Sequence, residues 1–276
     1  QIAIACNSVN SSFADFLKVN KLSCKNYNVS GTPRRIFLDA IAVEVSQKEE
    51  EILKIGPAVN IAYDAEGKLT PAGQGFLKKN AVQEEAIFIQ ETEKGRFLAV
   101  KYLKPGLTTV ELLQSWIPAM ILQIPFDKKM TWSQPEFTFS RPLRWLLILW
   151  NDIPLSLPFF NVPCGNITYG NRFLGLEKSI PINKAEEYLP ALREHKVIAD
   201  IEERRTEITN QLANMFPEGD YQVIPNRNLI ETVMNLVEFP TAVTGQFDKK
   251  YLSLPDKIII STISQAQKYF AVQDKQ

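Results

Sequence analysis

Hydrophobic positions in this chain recur every second residue in some segments and at about 3.6-residue spacing in others. Residues 36–45 are apolar and rich in branched side chains, which predicts a strand. Residues 87–91 and 96–103 alternate apolar and polar positions around a short connection that contains Gly95, and this predicts a β-hairpin. The apolar run at 141–150 predicts a buried strand, with a short helix as the alternative.

Capping residues, as well as the spacing of apolar residues, predict where helices begin. Thr70 and Pro71 predict a helix through Lys79, because proline loses no hydrogen bond in a first turn. Thr108 and Glu111 have capping-box spacing ahead of an apolar stripe, and Pro118 predicts a kink or break within that stripe. Three more cap pairs predict helices in the second half: Asn183 with Glu186, Asp200 with Glu203, and Asn228 with Glu231. Further on, Pro255 favours a helix at 254–263, with a strand as the alternative because of its isoleucine run, and 269–272 is predicted as strand.

This succession predicts an α+β fold with mixed, mostly antiparallel sheets, flanking helices and two lobes. Pro158, Pro163 and Gly165 cluster where the strand-rich part gives way to the helical part. We therefore expect an N-terminal lobe at 1–163 and a second, more helical lobe at 164–276.

The composition indicates a globular, non-membrane chain, with 45 % hydrophobic and 22 % charged residues. No stretch approaches the roughly 18 apolar residues of a membrane span, so we expect no membrane association. Cys6, Cys24 and Cys164 are scattered and odd in number, as expected for reduced thiols in a cytoplasmic protein. The 31 basic and 31 acidic residues cancel. Tight binding of nucleic acid by the whole surface is therefore not expected, although a local basic face is compatible with this balance.

The sequence offers little material for catalysis. His195 is the single histidine and falls at a predicted helix end, and no CxxC pair accompanies it. Glycine-rich phosphate-binding loops are absent from the sequence. We predict no catalytic residue, no metal site and no cofactor in this chain.

Five arginines on predicted loops are the candidate binding residues: Arg34, Arg35, Arg141, Arg144 and Arg172. A forked guanidinium suits phosphate, so each is a candidate contact to an RNA backbone. The alternative for each is an internal salt bridge or a clamp on a backbone carbonyl. Aromatic residues interleave with Arg141 and Arg144 between 132 and 150, which permits base stacking but more often indicates core packing.

Several of these segments resemble elements of the glycyl-tRNA synthetase beta-subunit family. Residues 32–36 resemble a TPRRL element, 124–132 a PFPKSMRW element and 139–145 an FxRPxRW element. Further matches in the same order lie at 56–57, 72–79, 165–173, 197–205, 236–240, 245–247, 252–255 and 267–270. Asn171 and Ala266 stand where the family usually has histidine, and Thr131 where it often has arginine. These departures predict a structural role for the loops concerned, or a divergent member.

The resemblance implies a division of labour. In this family an alpha subunit, or alpha region of a fused chain, carries the active site that activates glycine with ATP and magnesium. The beta subunit contributes assembly and contact with tRNA(Gly). The chain is therefore expected to be a non-catalytic part of a longer glycine–tRNA ligase subunit, with the five arginines as tRNA-binding candidates. A scaffold module without RNA contact is the first alternative, and a small hydrolase is the second.

Overall fold

The computed structural model describes residues 1–132, 134–176, 178–217 and 219–274. Its α-helices in these ranges are α1 (Ile2–Val19), α2 (Val59–Ala62), α3 (Pro71–Asn80), α4 (Thr109–Gln123), α5 (Tyr188–Glu194), α6 (Ile201–Ala213), α7 (Arg227–Val233) and α8 (Asp256–Ser261). The strands are β1 (Asn26–Thr32), β2 (Arg35–Ile41), β3 (Glu50–Ala58), β4 (Ile87–Thr92), β5 (Gly95–Lys104), β6 (Met130–Trp132), β7 (Gln134–Phe139), β8 (Leu146–Leu147), β9 (Leu149–Trp150), β10 (Ile153–Pro154), β11 (Cys164–Gly165), β12 (Ile167–Tyr169), β13 (Ser179–Pro181), β14 (Tyr221–Val223) and β15 (Val272–Asp274). The α+β class with mostly antiparallel sheets is confirmed, since β8 with β11 is the parallel pair among the described strands.

The described chain forms two compact units. The first contains Gln1–Val19, Ser23–Val43 and the described residues from Leu113 onward, and the second contains Asn20–Leu22 and Glu44–Leu112. Their bounds differ from the predicted lobes at 1–163 and 164–276, and that predicted division stays a prediction.

In the first unit, α1 packs on the hairpin of β1 and β2. Ala5, Val9, Phe13 and Phe16 recur at helical spacing and are buried, which explains why this segment is helical. The ring of Trp116 in α4 lies 4.9 Å from that of Phe16, and its indole Nε1 donates to Ser12 Oγ at 3.1 Å. The sequence analysis predicts no element for residues 2–19, although their apolar residues recur at helical spacing.

The hairpin of β1 and β2 runs in register from the pair Asn26–Ile41 to the pair Thr32–Arg35. The predicted strand at 36–45 is confirmed as far as Ile41 and wrong beyond it. A strand continues only where a neighbour supplies hydrogen bonds, and β1 supplies none beyond Asn26.

A second core of the first unit is aromatic. Ile121, Phe137, Leu157 and Phe159 are buried together, and the rings of Phe137 and Phe159 meet edge to face at 5.3 Å. The predicted core role of the aromatic residues near 137 is thereby confirmed.

The predicted buried strand at 141–150 is wrong for most of its length. The segment forms only the two-residue strands β8 and β9, both half-buried. Pro142 cannot donate to a ladder, and a tight turn follows in which Asn151 and Asp152 have φ of 46° and 64°. Positive φ at both central residues is typical of a two-residue hairpin turn, and here that turn joins β9 to β10.

The second unit holds an antiparallel sheet of order β3-β5-β4. The predicted hairpin is confirmed as β4 and β5, closed by the pair Thr92–Gly95.

The predicted helix after Thr70 is confirmed as α3, with the Thr70 hydroxyl accepting from Gly73 N. The capping box is confirmed too, since Thr108 N donates to Glu111 Oε2 at 2.8 Å. Of the kink or break predicted at Pro118, the break is wrong, because α4 continues to Gln123, and the kink stays a prediction.

Of the later caps, Asp200 is confirmed, with its Oδ1 accepting from the amides of Glu202 and Glu203. The other two are displaced: Lys184 rather than Asn183 caps a 3₁₀ turn at Ala185–Glu187, and Asn226 rather than Asn228 caps α7. The helix in 254–263 is confirmed as α8 and continues as a π-helical turn, Thr262–Ala266. The strand predicted at 269–272 lies further along the chain, since β15 begins at Val272, where β14 pairs with it.

None of the described helices combines the length and apolarity needed to cross a membrane.

Candidate functional site

The turn between β1 and β2 positions Arg34 and Arg35. Pro33 presets φ for a turn, and the Thr32 hydroxyl accepts hydrogen bonds from the amides of Arg34 at 3.1 Å and Arg35 at 3.2 Å. The same hydroxyl donates to Glu238 Oε1 at 2.7 Å. The turn is therefore fixed both from within and from the segment that follows α7.

Arg35 points into the protein and pairs with Glu238. Its Nε donates to Glu238 Oε1 at 3.0 Å, with side-chain exposures of 4 % and 6 %. Its Nη1 donates to the carbonyl of Tyr169 at 3.0 Å, and its guanidinium carbon lies 5.8 Å from the ring centre of Trp145. Two buried charges of opposite sign satisfy each other here, so this guanidinium is committed to the interior.

Arg204 is a second buried guanidinium beneath the turn, and its side chain is fully enclosed. It donates to four carbonyl groups: Met234 at 2.7 Å, Ile198 at 2.6 Å, Ala199 at 3.3 Å and Gly31 at 2.7 Å. These bonds tie α6 both to β1 and to the end of α7. Burial lowers the pKa of Arg204, and the charges of Glu238 and Asp200 oppose that shift.

The neighbouring Tyr188 completes the interior network. It packs against the core that contains Phe37 and Leu192. Burial raises the pKa of the Tyr188 hydroxyl, while the adjacent Arg35 charge works in the opposite direction. The hydroxyl is accordingly held in its neutral form.

The loop at 141–145 lies against the same turn. Arg141 is exposed, and its Nη1 donates to the carbonyl of Pro33 at 3.4 Å. Arg144 is exposed as well. Trp145 contacts Tyr169 edge to face at 5.0 Å, which anchors the end of this loop beside Arg35.

Arg172 is exposed on a turn that Asn171 organises. The buried amide of Asn171 donates to Lys196 O at 2.9 Å and accepts from the backbone amides of Phe173 at 3.0 Å and Leu174 at 3.3 Å. At the position where the resemblance expects histidine, this side chain thus has a structural role.

The structure therefore brings together the three segments that carry the five predicted arginines. They meet around Arg35, which contacts both Trp145 of the loop and the carbonyl of Tyr169. Arg34 adjoins Arg35 in the turn, Arg141 and Arg144 belong to the loop that ends at Trp145, and Arg172 follows Tyr169 by three residues. These four arginines, half-buried or exposed, are called the arginine set below. Arg35 itself meets the alternative stated for it, an internal salt bridge.

Glu238 and Arg204 were not singled out from the sequence. The available signal was a lone acid in the apolar stretch 236–239, which requires a buried cationic partner when it folds inward. For Arg204 the signal was weaker, because it sits in a highly charged helix beside Arg205.

The single histidine and the three cysteines lie apart from the arginine set in the sequence and have simple surroundings. His195 ends α5, as expected, with its Nδ1 2.8 Å from the carbonyl of Ala191. Cys6, Cys24 and Cys164 are free thiols. Among the residues that the structure describes, no group of three or more His, Cys, Asp or Glu side chains is placed to hold a metal ion.

Comparison with known proteins gives consistent matches. The sequence model of the family described as glycyl-tRNA synthetase beta subunit matches residues 1–276. The glycine–tRNA ligase beta subunit of Aquifex aeolicus is 37 % identical over 263 residues, which are 94 % of this chain and 40 % of that protein. Those of Syntrophotalea carbinolica and Syntrophus aciditrophicus are 34 % and 36 % identical, over 94 % and 89 % of this chain. The chain spans 37 % and 36 % of those two relatives, so it corresponds to well under half of each.

Proposed function

We propose a function from one premise: the chain belongs to the glycyl-tRNA synthetase beta-subunit family. Its proposed role is to support the attachment of glycine to tRNA(Gly) without carrying the reacting groups, by contacting tRNA and by helping to assemble the ligase. The observation that carries the tRNA part is that the three segments bearing the arginine set meet at Arg35, which is buried in its pair with Glu238.

Rigid presentation favours phosphate binding. A guanidinium on an ordered loop loses less conformational freedom when it binds than one on a mobile loop. The carbonyl bond from Arg141 to Pro33 and the Thr32 bonds to the turn supply this order. Arg35 is left out of the proposed contacts, because its guanidinium is buried against Glu238 and lies out of reach of a phosphate.

Kinetics of the full-length ligase test the proposal. Replacing both Arg141 and Arg144 by alanine is expected to raise the KM for tRNA about tenfold, about 1.4 kcal/mol, a modest loss for two charge-assisted hydrogen bonds. The kcat is expected to stay unchanged and the melting temperature to fall by less than about 2 °C, because both side chains are exposed and the bond from Arg141 to Pro33 lies at the surface.

A matched control removes two other exposed arginines, Arg96 in β5 and Arg227 at the start of α7. That double variant changes net charge equally and should leave the KM for tRNA near the wild-type value. Normal tRNA kinetics together with a lower melting temperature in the Arg141 and Arg144 variant would show that these residues are clamps, as Arg35 is.

A scaffold without RNA contact is the second candidate function, and the zero net charge favours it. Binding of the chain to tRNA at low salt discriminates between the two. The tRNA-contact role requires measurable binding with a salt-dependent affinity, whereas the scaffold role requires none.

The remaining parts of the proposal follow from the family. The proposed partner is the catalytic alpha subunit or alpha region, where ATP and magnesium are expected to bind, and the proposed location is the cytoplasm. Co-purification of the two subunits and glycine-dependent ATP–pyrophosphate exchange by the alpha part test these statements. Exchange activity in the chain described here would contradict the assignment of a non-catalytic role.

A further inference from the structure

The segment at 243–270 has an unusual combination of order and exposure. It contains a 3₁₀ turn at Lys249–Ser253, helix α8 and the π-helical turn Thr262–Ala266. Ser264 is the buried residue in this stretch of the described chain. A connection of this length that carries its own helical turns is uncommon in a compact fold unless it has a function or a packing partner.

Its side chains are too apolar for a water-facing loop. Those exposed by 44 % or more include Val243, Phe247, Leu252, Leu254, Ile258 and Tyr269. Short helical turns gain most of their stability from packing an apolar face, and isolated turns of five or six residues are marginal in water. Order in this segment therefore requires a surface that covers these side chains.

Hydrogen bonds to other parts of the described chain hold the two ends of the segment. Before it, Ala242 N donates to Gln211 Oε1 at 2.7 Å, and after it, the carbonyl of Ala271 accepts from Ile224 N at 2.8 Å. The hydrogen bonds given for residues 243–270 in the described part of the chain all join residues of this same segment. Anchored ends hold the segment in place as a platform.

The charged residues of the segment indicate which kind of molecule covers its apolar side chains. The segment carries four lysines and two aspartates, and Lys250 already pairs with Asp248 at 3.1 Å. Such a small positive excess gives little attraction for a nucleic-acid backbone. The exposed apolar side chains instead fit another protein surface.

We propose that the 243–270 segment is the docking platform for the part of the same polypeptide that lies outside residues 1–276. The relatives whose N-terminal part this chain matches are about two and a half times as long as the matched region, so such a part exists in this family. A covalently linked surface meets the platform at an effective concentration that does not depend on the concentration of the protein. A separate subunit or a second copy would leave the apolar side chains exposed whenever it dissociated. This proposal rests on family membership and does not depend on tRNA contact by the arginine set.

The test uses the full-length subunit without any other subunit. Val243→Asp and Leu252→Asp each introduce a charge on the segment. Both positions are exposed in the structure of residues 1–276, and the proposal has them covered in the full-length subunit. Each is expected to lower the melting temperature of the full-length subunit by about 5 °C or more, since a charge is then buried without a partner. Val19→Asp is the matched control, with Val19 77 % and Val243 81 % exposed, and it should shift the melting temperature by less than about 2 °C.

Hydrogen exchange of the wild-type subunit supplies a second measurement that needs no variant. Amides of 243–270 are expected to be protected at least about 100-fold in the dilute full-length subunit, independent of concentration. Fast exchange with unchanged melting temperatures in both variants overturns the proposal. Protection that appears only after the catalytic subunit is added, or only at high concentration, overturns it in favour of that occupant.

Discussion

At the scale of single residues, one buried ion pair fixes the turn that carries the arginines. Glu238 accepts from both Thr32 and Arg35, so its carboxylate joins the turn to the segment after α7. Arg204 fixes the same region by satisfying four carbonyl groups. Neither group is near the surface, and both determine where surface arginines lie.

Replacing Glu238, the acidic member of this ion pair, is expected to destabilise the fold strongly. Glu238→Ala leaves the Arg35 charge buried without its partner, which lowers the free energy of unfolding by about 3–5 kcal/mol. Urea denaturation followed by circular dichroism measures this, with the exposed Glu49→Ala as control. A loss below about 1 kcal/mol would mean that water reaches Arg35 in solution.

Arg204 tests whether the forked shape matters or only the charge. Arg204→Lys keeps the charge but cannot reach four carbonyl groups in different directions, so stability is expected to fall by at least about 2 kcal/mol. The exposed Arg227→Lys should change it by less than about 0.5 kcal/mol. Equal stabilities of the two variants in urea would refute the role assigned to Arg204.

At the scale of elements, local signals predicted well wherever the element is set by its own residues. Thr70, Asp200 and the pair Thr108–Glu111 cap helices in the structure as they do in the sequence pattern. The strand predicted at 141–150 is confirmed only at β8 and β9, because a strand depends on a pairing partner and residues 141–145 have none among the described strands. For the same reason the internal salt bridge of Arg35 is only an alternative at the sequence level and its partner is not identified there, since Glu238 is 203 residues away.

The capping box of α4 gives a pH prediction. Hydrogen bonds from the Thr108 hydroxyl and amide hold the pKa of Glu111 below its ordinary value of 4.5. A carboxyl whose pKa is depressed in the folded state stabilises the fold above its unfolded pKa, and this contribution disappears as pH falls through the folded pKa. Glu111→Gln is therefore expected to lower the urea midpoint at pH 7, and the difference from wild type should shrink below about pH 4.5.

Thr108→Val provides the check on that cause. It removes the hydroxyl donor, so a further Glu111→Gln change should have a smaller effect than in the wild type. A difference between wild type and Glu111→Gln that is the same at pH 7 and pH 3 would contradict the carboxylate interpretation.

At the scale of the whole molecule, the α+β class and the family were accessible from the sequence, because ordered motifs recur along nearly all of it. The convergence of three distant segments on Arg35 was not accessible, since it depends on tertiary structure. Zero net charge and a locally basic surface are compatible, because acidic residues concentrate elsewhere, as at 49–51 and 84–85.

The salt dependence of tRNA binding tests the central claim most directly. Affinity of the full-length subunit for tRNA(Gly) would be measured between about 50 and 200 mM salt, for the wild type and for Arg141→Ala with Arg144→Ala. If both arginines bind phosphates, the slope of log affinity against log salt becomes shallower by about 2, one for each phosphate that is no longer neutralised. An unchanged slope in that variant, or an equal change in the Arg96 and Arg227 control, would contradict tRNA binding by the arginine set.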